Sequence, residues 1–254
     1  MTVTWEDAAD GVLVATMDHR PANALGPPII DGLNALLDEA EERDTRVLVL
    51  TSAIPGFFAA GADIKHLGTV DAASFTAYGN RLRDVVERLA AADLISIAAM
   101  EGLALGGGLE LAMAATMRVS GAAAAFGLPE VRLGLIPGAA GTQRLPRLVG
   151  RGRAIDIMAT ARQVPADEAA AIGLVDRLVA VGEARAAAVE LGGSLARLSR
   201  PALAAVLRTV DAAFDLPFAQ GKRYEVEQIQ ELFETGEARE GISAFLEKRP
   251  PKFA

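Results

Sequence analysis

An α/β core followed by a helical extension is the fold class that this 254-residue sequence predicts. Three observations lead there. Up to about residue 120, short apolar runs of strand length alternate with stretches whose apolar residues recur at helical spacing. The joints between them are rich in glycine, most of all at Gly106, Gly107 and Gly108. Beyond Gly150 helical patterns dominate.

The elements follow in order. Residues 11–17 (GVLVATM) and 47–51 (VLVLT) read as strands. Between them, residues 29–43 place Ile30, Leu33, Leu36, Leu37 and Ala40 on one helical face, the pattern of a helix packed on a sheet. A second unit has a loop at 53–65, a helix at 71–91 and a strand at 94–100. A third has the glycine-rich turn 102–108, a helix to about Thr116 and a strand at 117–120. The order strand, loop, helix recurs without sequence repetition, so the architecture repeats and the sequence does not. Residues 151–160 and 167–172 read as helices, the second opening near Pro165 and ending at Gly173. After a strand at 174–179, the remainder reads as helices broken at Gly192-Gly193, at Pro201 and at Pro217. No Pro/Ser-rich linker separates the parts. The expected division is a core over residues 1–195 and a helical region over 196–254, docked on the core or on another subunit.

With 51% hydrophobic and 23% charged residues, a chain of this length buries a sizeable core. Twenty-five Lys+Arg against 33 Asp+Glu leave a net charge of −8, which argues against nucleic acid or an anionic membrane surface as a general partner. The absence of cysteine excludes disulfides, thiolate catalysis and cysteine-ligated metal. His19 and His66 are the only histidines, too few for a histidine-rich metal site, and each reads as structural or exposed. The central apolar run, residues 94–100, falls far short of the ~20 residues a bilayer requires. The start MTVTWEDAADG is acidic where a signal peptide is basic and then apolar, so a cytoplasmic location is expected. Carboxylates, hydroxyls, Lys or Arg and the backbone itself are left to carry chemistry.

Four segments stand out: Phe58–Ile64, Leu105–Glu110, Phe126–Glu130 and Ile136–Arg144. Three glycines leading into the apolar stretch 109–115 leave backbone N–H groups at a helix start, where the macrodipole adds partial positive charge. Neither G-x-G-x-x-G with an acidic ribose partner nor G-x-x-x-x-G-K-[ST] is present, so a nucleotide fold lacks support. On pattern alone such glycines are a turn or a close-packing device more often than a site. Glu110 sits in the first turn of a helix that is apolar nearly all round, hence buried. It reads either as a carboxylate favoured by the dipole or as a desolvated acid with a raised pKa. Glu130, in a Gly-Leu-Pro-Glu turn, reads from its own surroundings as an ordinary exposed loop glutamate.

Taken together, the segments FAAGADIK (58–65), GLALGGGLELAM (102–113), FGLPE (126–130), LGLIPGAAGTQR (133–144) and EGISAFLEKRPPKF (240–253) resemble the consecutive blocks of the crotonase superfamily, the enoyl-CoA hydratase/isomerase family. The resemblance covers essentially the whole chain. It implies a spiral of repeated ββα units, followed by a C-terminal helical region that builds trimers, often paired as hexamers. It implies an oxyanion hole made by the N–H groups of Ala62 and Gly107, and two glutamates, Glu110 and Glu130, that hold one water and add it to a trans-2-enoyl-CoA. Coenzyme A then enters as part of the acyl-CoA substrate, with no separate cofactor and no metal. A Δ3,Δ2-enoyl-CoA isomerase works with a single carboxylate at the Glu130 position, so retention of Glu110 favours hydration. A non-catalytic acyl-CoA-binding protein is the third reading.

The resemblance also implies CoA contacts. Ala22 lines the CoA path in a segment, Arg20–Leu25, that is shorter than the usual hydratase version and lacks its basic residue. Ala60, Asp63, Ile64 and Lys65 match positions around the substrate, with Ala60 and Lys65 near the adenine end. Gly106 allows close approach, and Gly138 matches a loop facing the thioester. Phe245 and Lys248 match residues that close over CoA from a neighbouring subunit. Leu128 and Thr116 stand where hydratases often carry polar and acidic residues.

Overall fold

The computed structural model describes residues 2–43 and 45–253. It opens with a hairpin in which β1 (Val3–Ala9) pairs antiparallel with β2 (Val12–Met17), with a bulge between Asp7 and Ala9. The pattern reading missed β1, because an edge strand carrying Glu6 and Asp7 on exposed positions has no apolar run. Helix α1 (Pro27–Glu42) has proline in its first turn, where the missing N–H costs nothing, and buries the Leu33, Leu36, Leu37 and Ala40 face the spacing predicts.

Three units follow. The first runs β3 (Val47–Ser52), β4 (Phe57–Ala59), the short α2 (Ile64–Leu67) and α3 (Ala72–Ala90), which Asp71 caps by accepting from the Ser74 N–H. The second is β5 (Ile95–Met100), β6 (Leu103–Leu105) and α4 (Gly107–Ala114). The third is β7 (Met117–Gly121), β8 (Ala125–Gly127), a 3-10 turn over Glu130–Leu133, α5 (Gly141–Val149) and α6 (Arg151–Thr160). Then come β9 (Val164–Pro165), α7 (Ala166–Ala171), β10 (Arg177–Val179) and α8 (Ala184–Leu195). Three helices finish the chain: α9 (Arg200–Asp215), α10 (Phe218–Thr235) and α11 (Ala238–Glu247).

The strands form two sheets. The larger has the order β1-β2-β3-β5-β7-β10 and is parallel from β2 onward; the smaller has the order β4-β6-β8-β9. Each of β3, β5 and β7 is thus followed by a three-residue strand in the second sheet before its helical segment. This is the spiral of ββα units that the family resemblance implies. Strands of three residues are too short to leave a periodic signal, which is why 53–65, 102–108 and 126–130 read as loops.

The inner strands β2, β3 and β5 of the large sheet are covered on both faces and so are nearly continuous apolar runs, whereas the edge strands β1 and β10 are largely exposed. One face, with Leu13, Leu48, Leu50, Ala98 and Met100, joins the core under α1, α3 and α4; the other, with Val12, Val14, Val47, Val49, Ile95 and Ile97, lies under α8. That packing corrects the expected break at Gly192-Gly193, since α8 runs straight through. A β-carbon on Gly192 would stand 3.1 Å from Val47 Cγ1 and 3.3 Å from Val12 Cγ1, so this glycine is a close-packing device. The expected breaks near Pro201 and Pro217 do occur, at the starts of α9 and α10. The strand expected at 174–179 begins only at Arg177, because Leu174 and Val175 turn into the core and Asp176 accepts from the buried Arg118.

Beyond α8, α10 buries none of its residues. Val226, Ile229 and Phe233 form an exposed apolar stripe on it, and Val206, Val210 and Phe214 form another on α9. No helix among the described residues is long and apolar enough to cross a membrane.

Candidate active site

The site begins where two loops are forced together. Gly61 has φ +92°, and a β-carbon there would stand 2.8 Å from Leu105 O and 3.2 Å from Gly107 N. Only glycine gives both the backbone conformation and the close approach. Ala62 is thereby set beside the start of α4, and a β-carbon on Gly107 would lie 3.6 Å from Ala62 N. Gly107 is the first residue of α4, so its N–H has no partner within the helix. Neither that N–H nor the Ala62 N–H donates a hydrogen bond among the described residues. Two free backbone donors therefore lie side by side at the positive end of a helix.

Glu110 is one turn further along α4 and only 2% exposed. Its Oε1 accepts from the N–H groups of Ala139 and Gly141, each at 2.7 Å. Burial pushes its carboxyl above the usual carboxylate range, against these donors and the nearby Arg144 guanidinium, which pull it down. A β-carbon on Gly141 would stand 2.8 Å from Glu110 Oε1 and 2.9 Å from Pro137 Cβ, so a side chain there would displace the carboxylate or the 137–141 loop.

Glu130 opens the 3-10 turn after β8 and is half-buried, which corrects its reading as an ordinary exposed loop residue. Its Oε1 lies against Gly106, where a β-carbon would be 2.9 Å away, and Gly106 itself has φ +52°. The Glu130 Oε2 is buried and has no hydrogen-bond partner. Burial pushes this carboxyl up to about 7, with the Glu110 carboxylate adding to the rise. Of these two carboxyls of raised proton affinity, that of Glu130 lies against the backbone of Gly106, and that of Glu110 stands one turn into the helix that Gly107 opens, held by the 139–141 loop. Among the described residues no three His, Asp or Glu side chains group as metal ligands.

The loops around these groups are tied in ways the pattern reading did not find. Ala22 O accepts from the Ala60 N–H at 2.9 Å, which couples two of the expected CoA-lining positions. The fully buried Asn23 holds that loop. Its Nδ2 donates to Ser52 Oγ at 2.8 Å, Phe58 O at 3.0 Å and Met17 O at 3.3 Å, while its Oδ1 accepts from the His19 N–H at 2.7 Å. Asp63 caps α2 by accepting from the N–H groups of Lys65 and His66. Ile64 and Lys65 are exposed, and the Lys65 ammonium has no ion pair among the described residues. Gly138 is exposed, and its carbonyl accepts from Arg83 of α3 at 3.1 Å.

Some positions lie apart. Thr116 exchanges hydrogen bonds with Ser96, so it braces β5 and supports neither glutamate. Leu128 is fully buried in the main core. His66 packs edge-on against Tyr78 at 5.4 Å between centroids, which makes it a structural contact. Phe245 is 83% exposed and Lys248 is exposed; neither side chain makes a hydrogen bond or ion pair to the glutamate loops.

Comparison with known proteins agrees with this architecture. The enoyl-CoA hydratase/isomerase family matches residues 7–254. A probable enoyl-CoA hydratase of Bacillus subtilis is 38% identical over 251 residues, covering 95% of each chain. A probable mitochondrial enoyl-CoA hydratase 2 of Arabidopsis thaliana is 38% identical over 246 residues, covering 96% of this chain and 81% of that protein. The crystal structure of an enoyl-CoA hydratase from Bacillus anthracis superposes with a TM-score of 0.96 at 32% identity, covering 100% of this chain and 99% of that one. With a matching fold over its full length and relatives of this kind at more than a third identity, the chain belongs to the enoyl-CoA hydratase/isomerase family and has the crotonase fold.

Proposed function

We propose that the protein is an enoyl-CoA hydratase, adding water syn across a trans-2-enoyl-CoA to give the 3-hydroxyacyl-CoA. The observation that carries this reading is the presence of two carboxyls, Glu110 and Glu130, beside two unpaired backbone donors. When water attacks C3, negative charge develops on the thioester oxygen. The N–H groups of Ala62 and Gly107 would stabilise that enolate, each donor of this kind contributing ~2.7–4 kcal/mol. Glu110, oriented by Ala139 and Gly141, accepts the proton from water; Glu130, with a proton affinity near neutrality, delivers one to C2. No cofactor enters apart from the coenzyme A of the substrate.

In this reading Ala22, Ala60 and Lys65 line the path of the adenine end, Asp63 and Ile64 shape the loop that carries Ala62, and Gly106 and Gly138 face the thioester. The free ammonium of Lys65 supports a phosphate contact. Phe245 and Lys248 close over CoA from a neighbouring subunit, and residues 196–254 assemble a trimer or a dimer of trimers; their exposure and the apolar stripes on α9 and α10 support this. We propose a place in fatty-acid metabolism and, by analogy with the bacterial relative, a cytoplasmic location, whereas the plant relative is named mitochondrial. Acyl preference varies in this similarity range: a mouse methylglutaconyl-CoA hydratase is 33% identical.

A Δ3,Δ2-enoyl-CoA isomerase is the second reading, favoured by the proton affinity of Glu130. Supplying trans-2- and 3-enoyl thioesters separately and identifying products by chromatography separates the two. Hydration yields 3-hydroxyacyl-CoA from the 2-enoyl thioester; isomerisation alone interconverts the enoyl thioesters with no hydroxyacyl product.

A further inference from the structure

Tyr78 lies on α3, outside every segment that carries the family resemblance, yet it is buried beside the loop of Ala62. Its hydroxyl donates to Leu25 O at 2.8 Å and accepts from the Asp63 N–H at 3.3 Å. Leu25 in turn donates its N–H to Gly61 O at 2.7 Å. These three bonds close a ring through Leu25, Gly61, Ala62, Asp63 and Tyr78. Gly61 O and Ala62 N–H belong to one rigid peptide plane, so the bond from Leu25 fixes one edge of the plane whose other edge is the free donor. The bond from Asp63 to Tyr78 fixes the next plane, leaving Ala62 no freedom to rotate either. Leu82 of the same helix and Leu25 also pack beside Gly107, where a β-carbon would stand 3.5 Å from Leu82 Cδ2 and from Leu25 Cδ1. Burial raises the Tyr78 hydroxyl above its ordinary value, so it stays protonated and able to donate at every working pH.

We propose that Tyr78 is a positioning residue for the oxyanion hole, holding the Ala62 N–H in the direction of the thioester oxygen. This rests on the assignment of Ala62 and Gly107 as the donor pair. A misplacement of about 1 Å in such a group costs up to ~100-fold in rate, whereas substrate affinity rests mainly on the CoA contacts.

A para-amino-substituted cinnamoyl-CoA provides the test, because polarisation of its carbonyl moves its absorption to longer wavelength. The expected result is a large shift on binding the native protein, a much smaller shift with Tyr78→Phe, and a Kd that changes little. In parallel, Tyr78→Phe lowers kcat for hydration about 10- to 100-fold with KM within about 3-fold. Retention of the full shift and kcat by Tyr78→Phe would overturn the proposal. If the native protein binds the probe with no shift, the donor pair itself is wrong and the proposal falls with it. Should Tyr78→Phe fail to fold, Tyr78→4-aminophenylalanine keeps a polar hydrogen for Leu25 O; restoration of the shift supports the proposal, and its absence in a folded variant contradicts it.

Discussion

Glu130 is pushed up to about 7 by burial and then by the charge of Glu110, while its Oε2 is buried with no partner. Burial is the main reason that Glu130 holds its proton, and the charge of Glu110 adds to it. Hydration should have a kcat/KM that falls as pH rises through about 7, where Glu130 loses the proton it must donate. Stability of the substrate-free protein follows the same group. Its folded value lies above the ordinary 4.5, so the folded state holds the proton more tightly, and its contribution is present below 4.5 and lost as pH rises through about 7. Thermal unfolding across that range should show a steeper decline in the native protein than in Glu130→Gln, which keeps only the contribution of the raised Glu110 carboxyl; parallel curves would contradict it.

Gly61→Ala tests the meeting of the two loops. The substitution forces a side chain into φ +92° and places its β-carbon 2.8 Å from Leu105 O. A loss of about 1–3 kcal/mol in stability is expected from the backbone strain. The fall in kcat should exceed what the stability change produces, because the Ala62 N–H moves with the loop. Denaturant melts paired with steady-state kinetics measure both.

Asn23→Ala removes the anchor of the loop carrying Ala22. Three carbonyl or hydroxyl acceptors and the His19 N–H would lose their partner in a fully buried place. The expected cost is about 2–4 kcal/mol, read as a lower urea midpoint at unchanged slope.

The exposed stripe of Val226, Ile229 and Phe233 predicts association. Sedimentation should give a trimer or a multiple of it, and the pair Val226→Glu with Phe233→Glu should yield smaller species. A native protein that sediments as a monomer at micromolar concentration would contradict the assembly.

The legible parts of this molecule are those where one physical requirement governs many residues. The faces of α1 and α3 and the runs of β3 and β5 are visible because burial repeats at the period of the element. Glu110 is visible as a carboxylate in an apolar helix. Glu130 is different: its burial depends on Gly106 and on the return of the chain through β8, long-range facts that the local Gly-Leu-Pro-Glu pattern does not contain. Asn23 and Tyr78 were missed for the same reason, since their partners lie up to 53 residues away and any polar side chain looks alike in isolation. The smaller sheet was hidden by the brevity of its strands.

The central claim is that Glu110 and Glu130 hydrate a 2-enoyl-CoA beside the donors of Ala62 and Gly107. It is tested most directly by mixing the purified protein with crotonyl-CoA and longer trans-2-enoyl-CoAs and following the ultraviolet absorbance of the conjugated thioester. The absorbance should fall as the double bond is hydrated, and Glu110→Gln and Glu130→Gln should each slow that fall by about 10²–10⁴-fold while remaining folded. No loss of absorbance at any chain length, or full activity in either variant, would contradict it.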